Sequence, residues 1–280
     1  IAALSLSSAC SAVNVGAGVS IDPDDYGIIN VAATDATVNT AGSVSITVTN
    51  TDADAIAIGI YNESTAAADT GVGDPSVEVS LGLNNTIYVD GDTLGGEADG
   101  AIGVYAVNSG GGTGSVSVTA GNGLDIQVHG DGAGGIVGDT QSGTGDITIS
   151  VGTGVVYSFA GNDNDTAMIL PGNVGIGALS GGGNVVISSG ADVQAGSAGL
   201  GSVEAGGIVG ITGGSGSVTI TTLAGGGTYG GDFGIIANAD NGAIVVTTNS
   251  VTTGLAQDGI RTETTGGAIT VTNNAAVNGG

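Results

Sequence analysis

Oxygen ligands for a hard cation occur in three short runs of this chain: Asp22-Pro-Asp24-Asp25, Asp90-Gly-Asp92 and Asn162-Asp163-Asn164-Asp165. Carboxylates and carboxamides clustered in turn-rich stretches are the donor set that Ca²⁺ takes. None of these runs has the twelve-residue helix-loop-helix spacing, and no Gly-Gly-x-Gly-x-Asp-x-apolar nonapeptide recurs in tandem. Solvated turns are the simpler account, because Asp caps a turn with its own side chain. Divalent cations held loosely by surface carboxylates are the expectation, with Asp22/Asp24/Asp25, Asp90/Asp92 and Asp163/Asp165 as the places to look.

Paired carboxylates can also hydrolyse a glycosidic bond, and the 26 acidic residues supply many candidates, but no pair stands out. A lyase acting beside a uronate needs an Arg or Lys to abstract the proton or hold the carboxylate, and Arg261 is the only basic residue besides His129. His129, in Val128-His-Gly-Asp131, reads as an exposed turn position with no nucleophile motif nearby. Cys10 is alone and forms no intrachain disulfide. The triplets Asn62-Glu-Ser64, Asn84-Asn-Thr86 and Asn164-Asp-Thr166 match a glycosylation acceptor as often as an Asn/Thr-rich chain does by chance. No catalytic, cofactor-binding or metal-ligating residue is assigned, and the expectation is a protein that is not an enzyme.

The elements that carry these residues are repeated. A Gly/Ala-Ile step followed by an apolar-alternating run occurs eight times, first as Gly27-Ile28 with Val44-Ser-Ile46, Ala55-Ile56 with Val77-Glu-Val79, and Gly100-Ala-Ile102 with Val116-Ser-Val118. Gly135-Ile136 with Ile147-Thr-Ile149 and Gly175-Ile176 with Val185-Val-Ile187 continue it. Gly207-Ile208 with Val218-Thr-Ile220, Gly234-Ile235 with Ile244-Val-Val246 and Gly259-Ile260 with Ile269-Thr-Val271 complete it. The anchors are spaced by 28, 45, 35, 40, 32, 27 and 25 residues, in or near the range of solenoids. A third apolar segment follows in several repeats, at Leu124-Asp-Ile126-Gln-Val128, Val155-Val-Tyr157, Val193, Val251 and Val277.

Inward Ile and Val alternating with outward Thr and Ser is the pattern of a half-buried strand, and Gly and Asn supply the corners between strands. Three short parallel strands per coil give an all-β fold, a right-handed parallel β-helix. Leu4-Ser-Leu6 and Val13-Asn-Val15 add a coil at the start, so about nine coils form a rod of roughly 40 Å at ~4.8 Å per coil. Ile28, Ile56, Ile102, Ile136, Ile176, Ile208, Ile235 and Ile260 are expected to stack in one internal file. Residues 1–280 read as one solenoid domain with longer corner loops near 62–74, 83–99 and 161–173.

Composition agrees with a thin rod. Gly makes up 58 of the 280 residues, Pro only 3, and there is no Trp beside 6 Tyr and 2 Phe, so the large aromatics that fill a compact globule are scarce. A single Lys or Arg against 26 acids gives a net charge of −25. Nucleic-acid binding, which rests on cations that neutralise phosphates, is not expected of such a chain, nor is attachment to an anionic membrane surface. The near absence of Lys and Cys fits an exported protein, and no run of about twenty apolar residues spans a bilayer as a helix.

The recurring coil, with Asp-Gly-Ile leading into the strand as in Asp258-Gly-Ile260, resembles the passenger repeats of Gram-negative autotransporters and related haemagglutinin-like surface proteins over roughly Ile21 to Gly280. That resemblance implies secretion to the bacterial cell surface and a β-helix used as a stalk or adhesin that meets a host or neighbouring cell. The family's C-terminal membrane barrel is absent from this sequence, which leaves an excised passenger and a different kind of surface protein as alternatives. Strand-like segments at both ends raise a further expectation: coils stacking head to tail through bare edges into an extracellular filament. A polysaccharide-acting hydrolase on the same scaffold is the third reading.

Overall fold

The computed structural model describes residues 4–7, 12–16, 20–21, 26–49, 56–65, 75–91, 100–130, 132–159, 173–196 and 206–280. The acid runs at 22–25 and 163–165, Asp92 and Cys10 lie outside them. Among the described residues there is no helix; every element is a strand, and each pairs in parallel with its counterpart one coil away. Successive strands go in turn to a first, a second and a third sheet, each nine-stranded, so the chain winds as a parallel β-helix of nine coils.

Short β-branched runs bounded by Gly and Asn make these strands, and parallel stacking hides both their edges and their inner faces. Along the second sheet the outward residues Thr119, Ser150, Ser188, Thr221, Thr247 and Thr272 stand in register, as the alternation predicts. Their inward neighbours Val118, Ile149, Ile187, Ile220 and Val246 are fully buried. Each such side chain removed from water contributes roughly 1.5–3 kcal/mol.

The internal file of the first sheet differs from the expected one in two coils. Its members are Ile28, Ile60, Val104, Ile136, Ile176, Ile208, Ile235 and Ile260, so Ile56 and Ile102 are displaced by Ile60 and Val104. The reason is the residue that precedes each. Gly27, Gly59, Gly103, Gly135, Gly175, Gly207, Gly234 and Gly259 stack at the start of the first-sheet strands, and a Cβ on Gly59 would lie 2.5 Å from the Gly103 carbonyl oxygen. That place in the file admits no Cβ, and Gly59 takes it. A second file, Gly114, Gly145, Gly183, Gly216, Gly242 and Gly267, lines the next corner, where each Cβ would strike the carbonyl one coil before.

Three smaller expectations are corrected as well. Val44-Ser-Ile46 belongs to the third sheet, since Ile46 pairs with Ile87, and the second-sheet strand of that coil is Ala36–Thr40. Val251 is 39% exposed, because Thr252 takes the inward position of its strand. The loops begin later or are shorter than expected: Ala57–Ser64 runs as strand into the 62–74 stretch, and Thr86–Asp90 is a strand within 83–99. Residues 66–74, 92–99 and 161–172 lie outside the described set.

Hydroxyls tie down the corner after the first sheet. Thr140 and Ser180 both donate to the Gly145 carbonyl, at 2.8 and 3.0 Å, and Thr212 donates to Gly183 at 2.6 Å. In the early coils amides do comparable work further inside. Asn62, fully buried, donates to the Ala36 and Glu78 carbonyls at 3.0 and 2.9 Å and accepts from Asn30 at 2.9 Å. Burial removes Asn62 as a glycosylation acceptor.

Candidate functional site

Chemistry on a closed rod has to be done on its outside, and the three faces differ. The second presents hydroxyls. The first is apolar on its outside too: Ile58, Ile102, Tyr105, Val107, Val137, Val174, Leu179 and Val209 are buried as a second cluster, separate from the interior. Strands hidden on both faces read as continuous apolar runs, and Ala101-Ile-Gly-Val-Tyr-Ala-Val and Val174-Gly-Ile-Gly-Ala-Leu are such runs.

Within this apolar layer sit two carboxylates. Glu63 and Asp139 occupy one outward row with Val107 between them, two coils apart and therefore about 10 Å along the axis. Tyr61 donates its hydroxyl to Glu63 Oε2 at 2.7 Å, Ser109 donates to Glu63 Oε1, and Tyr105 donates to Asp139 Oδ2 at 3.1 Å. The Tyr61 and Tyr105 rings meet at 5.7 Å. Desolvation raises the Asp139 pKa, against the opposing effect of hydrogen bonds from the Gln141 amide and the Tyr105 hydroxyl. Burial first, and then the neighbouring carboxylate, pushes both phenols well above their ordinary range. Each acid is thus met by a phenol of its own cluster. Sequence reasoning found no carboxylate pair because 76 residues separate these two, and only the register brings them into one row.

The third face carries rings. Thr47, Tyr88, Gln127, Tyr157, Gln194, Tyr229, Thr253 and Asn278 form one outward row along the rod. A parallel row holds Thr49, Asp90, His129 and Phe159. His129 is not in a turn: it ends the strand Leu124–His129 and is half-buried. Its imidazole lies 5.0 Å from Phe159 in a stacked pair and 5.7 Å from Tyr88, while Tyr157 meets Phe159 edge-on at 5.7 Å. Tyr88 donates to Asp90 at 3.3 Å, and Gln127 donates to Asp125 at 3.0 Å. Burial, and then Asp90, raises the Tyr88 pKa. Tyr229 is 37% exposed, and its ring lies over Gly227, where a Cβ would meet ring carbon Cε2 at 2.5 Å.

Arg261 stands on the first face near the C-terminal end, its guanidinium 5.3 Å from the Phe233 ring centroid and 3.6 Å from Glu263. Both partners of that ion pair are exposed, so it adds little stability. Of the expected cation ligands only Asp90 is described, and it belongs to the aromatic face. No group of three or more His, Cys, Asp or Glu suited to a metal ion occurs among the described residues. Compared with known proteins, the chain matches no family model, no curated protein and no solved structure.

Proposed function

We propose that this chain is an extracellular structural rod, a stalk or adhesin passenger displayed at a bacterial cell surface, without catalytic activity of its own. One observation carries the reading: each coil adds one strand to each of three sheets in unbroken register, so added sequence becomes length and a repeated outer surface. Supporting it, the described interior is mainly aliphatic, and the row-forming acids of the first face are each engaged by a tyrosine hydroxyl. The resemblance of the coil to autotransporter passengers supplies the setting. With net charge −25, the partners are its own kind or a host or neighbouring cell surface, and neither nucleic acid nor an anionic bilayer.

Immunogold labelling of intact and permeabilised cells with antibody to the purified chain tests the location. Label on intact cells is expected. Label that appears only after permeabilisation overturns the proposal. Release of reducing ends from a glycan by the purified chain, lost on changing Glu63 and Asp139 to amides, would replace it with the hydrolase reading.

A further inference from the structure

We infer that the third face is a binding surface for a neutral, extended, β-linked glycan lying along the rod axis, with Tyr88, Tyr157 and Tyr229 as its platforms. The inference deepens the adhesin reading and rests on it for its biological setting only. Tyrosines recur at every second coil of the row, and Gln127 and Gln194 fill the coils between. Two coils measure about 9.6 Å at ~4.8 Å per coil. That is close to the length of a disaccharide unit in an extended chain, whose sugars present an apolar C–H face to the same side at every second residue.

The groups around the platforms suit such a ligand. Carboxamides of Gln127 and Gln194 both donate and accept, and carboxylates of Asp90, Asp125 and Asp192 border the row, so hydroxyls find partners of either kind. Tyr157 braces against Phe159, and Phe159 stacks on His129, so the middle platform is held by other rings and loses little freedom on binding. Charge selects among glycans. A chain of net charge −25 with no Lys or Arg on this face repels uronates and sulfated sugars. A peptide strand would need an open sheet edge, and a row across the middle of the sheet offers none.

Affinity gel electrophoresis of the purified chain in gels holding a neutral β-glucan, a mannan or a xylan, with polygalacturonate as the anionic control, tests this. Retardation by at least one neutral glycan and none by polygalacturonate is expected. Tyr157→Ala and Tyr229→Ala should each weaken binding roughly three- to tenfold. Tyr157→Phe, which keeps the ring, should retain most of it, and Thr221→Ala, in the outward row of the second face, all of it. Circular dichroism of every variant separates lost binding from lost fold. Retardation by none of the neutral glycans, equal retardation by polygalacturonate, or binding that Tyr157→Ala and Tyr229→Ala leave intact overturns the inference. A negative result here leaves the rod proposal standing, and an intracellular location would leave glycan binding by the purified chain untouched.

Discussion

Replacing Gly135 by Ala is expected to open the rod locally. A Cβ at this position would sit 2.5 Å from the Gly175 carbonyl oxygen and against Val156 Cγ1. Ordinary contact begins near 3.4 Å, so the next coil must retreat by about 0.9 Å or the strand must tilt. The obstacle is backbone held in the first-sheet ladder, not the tip of a flexible chain. Overpacking of this kind costs about 1–3 kcal/mol, and each ladder hydrogen bond stretched out of range adds roughly 1 kcal/mol. The expected total is about 3 kcal/mol. Gly16→Ala is the control, since a Cβ there meets nothing within 4 Å, and it should be neutral or slightly stabilising. Urea unfolding followed by circular dichroism gives the change in midpoint. Amide exchange reports whether lost protection is confined to the neighbouring coils, as a one-dimensional array requires. A Gly135→Ala protein with wild-type midpoint and wild-type exchange would refute the account of this glycine file.

Three further outcomes are expected. Asn62→Ala should cost about 1–3 kcal/mol, because it strands the Ala36 and Glu78 carbonyls in the interior, while Asn30→Ala should cost less: it takes a donor from the Thr37 carbonyl and Asn62 Oδ1 but also removes the buried Asn30 Oδ1, which has no partner; urea midpoints rank the two. Asp139 has its folded-state pKa raised, so its share of stability is present in acid and lost as pH rises through that value. Asp139→Asn should therefore raise the melting temperature at neutral pH and show no advantage below the usual carboxylate range, as thermal scans at several pH values will show. Trypsin should make at most one cut, at Arg261, read by mass spectrometry.

How much of this was legible follows from what each residue type can tolerate. The fold class was, because inward Ile and Val alternate with Thr and Ser in runs too short for anything but strands, as at Val218–Thr222 and Ile269–Asn273. Phase in the second and third full coils was not. Ala55-Ile-Ala-Ile-Gly-Ile60 offers three equivalent anchor steps to a pattern of apolar residues, and only the approach of the Gly103 carbonyl distinguishes Gly59 from Ala55 and Ala57. Val251 failed for a related reason: β-branched Val and Thr suit the same strand, and which one faces inward is set by the coil below, where Tyr229 faces out and Thr228 in. The aromatic row was invisible because its tyrosines lie 69 and 72 residues apart and share no motif.

Register is also what lets such rows exist on a chain of uneven coils. Gly59 to Gly103 spans 44 residues and Gly234 to Gly259 only 25, yet the strands on either side stay in step. Added residues fall between strands, where they leave the side-chain alternation untouched. In the third sheet the inward file Ile46, Ile87, Ile126, Val156 and Val193 fixes the phase, and Thr47, Tyr88, Gln127, Tyr157 and Gln194 follow on the outside one residue later. A single residue inserted within Leu124–His129 would bring Gln127 inward and push an aliphatic side chain out, breaking core and outer row together. The same residue inserted at a corner would disturb neither. Selection on the interior thus holds the exterior rows in line, and a binding row on this rod needs only that particular strands carry Tyr where others carry Thr or Gln.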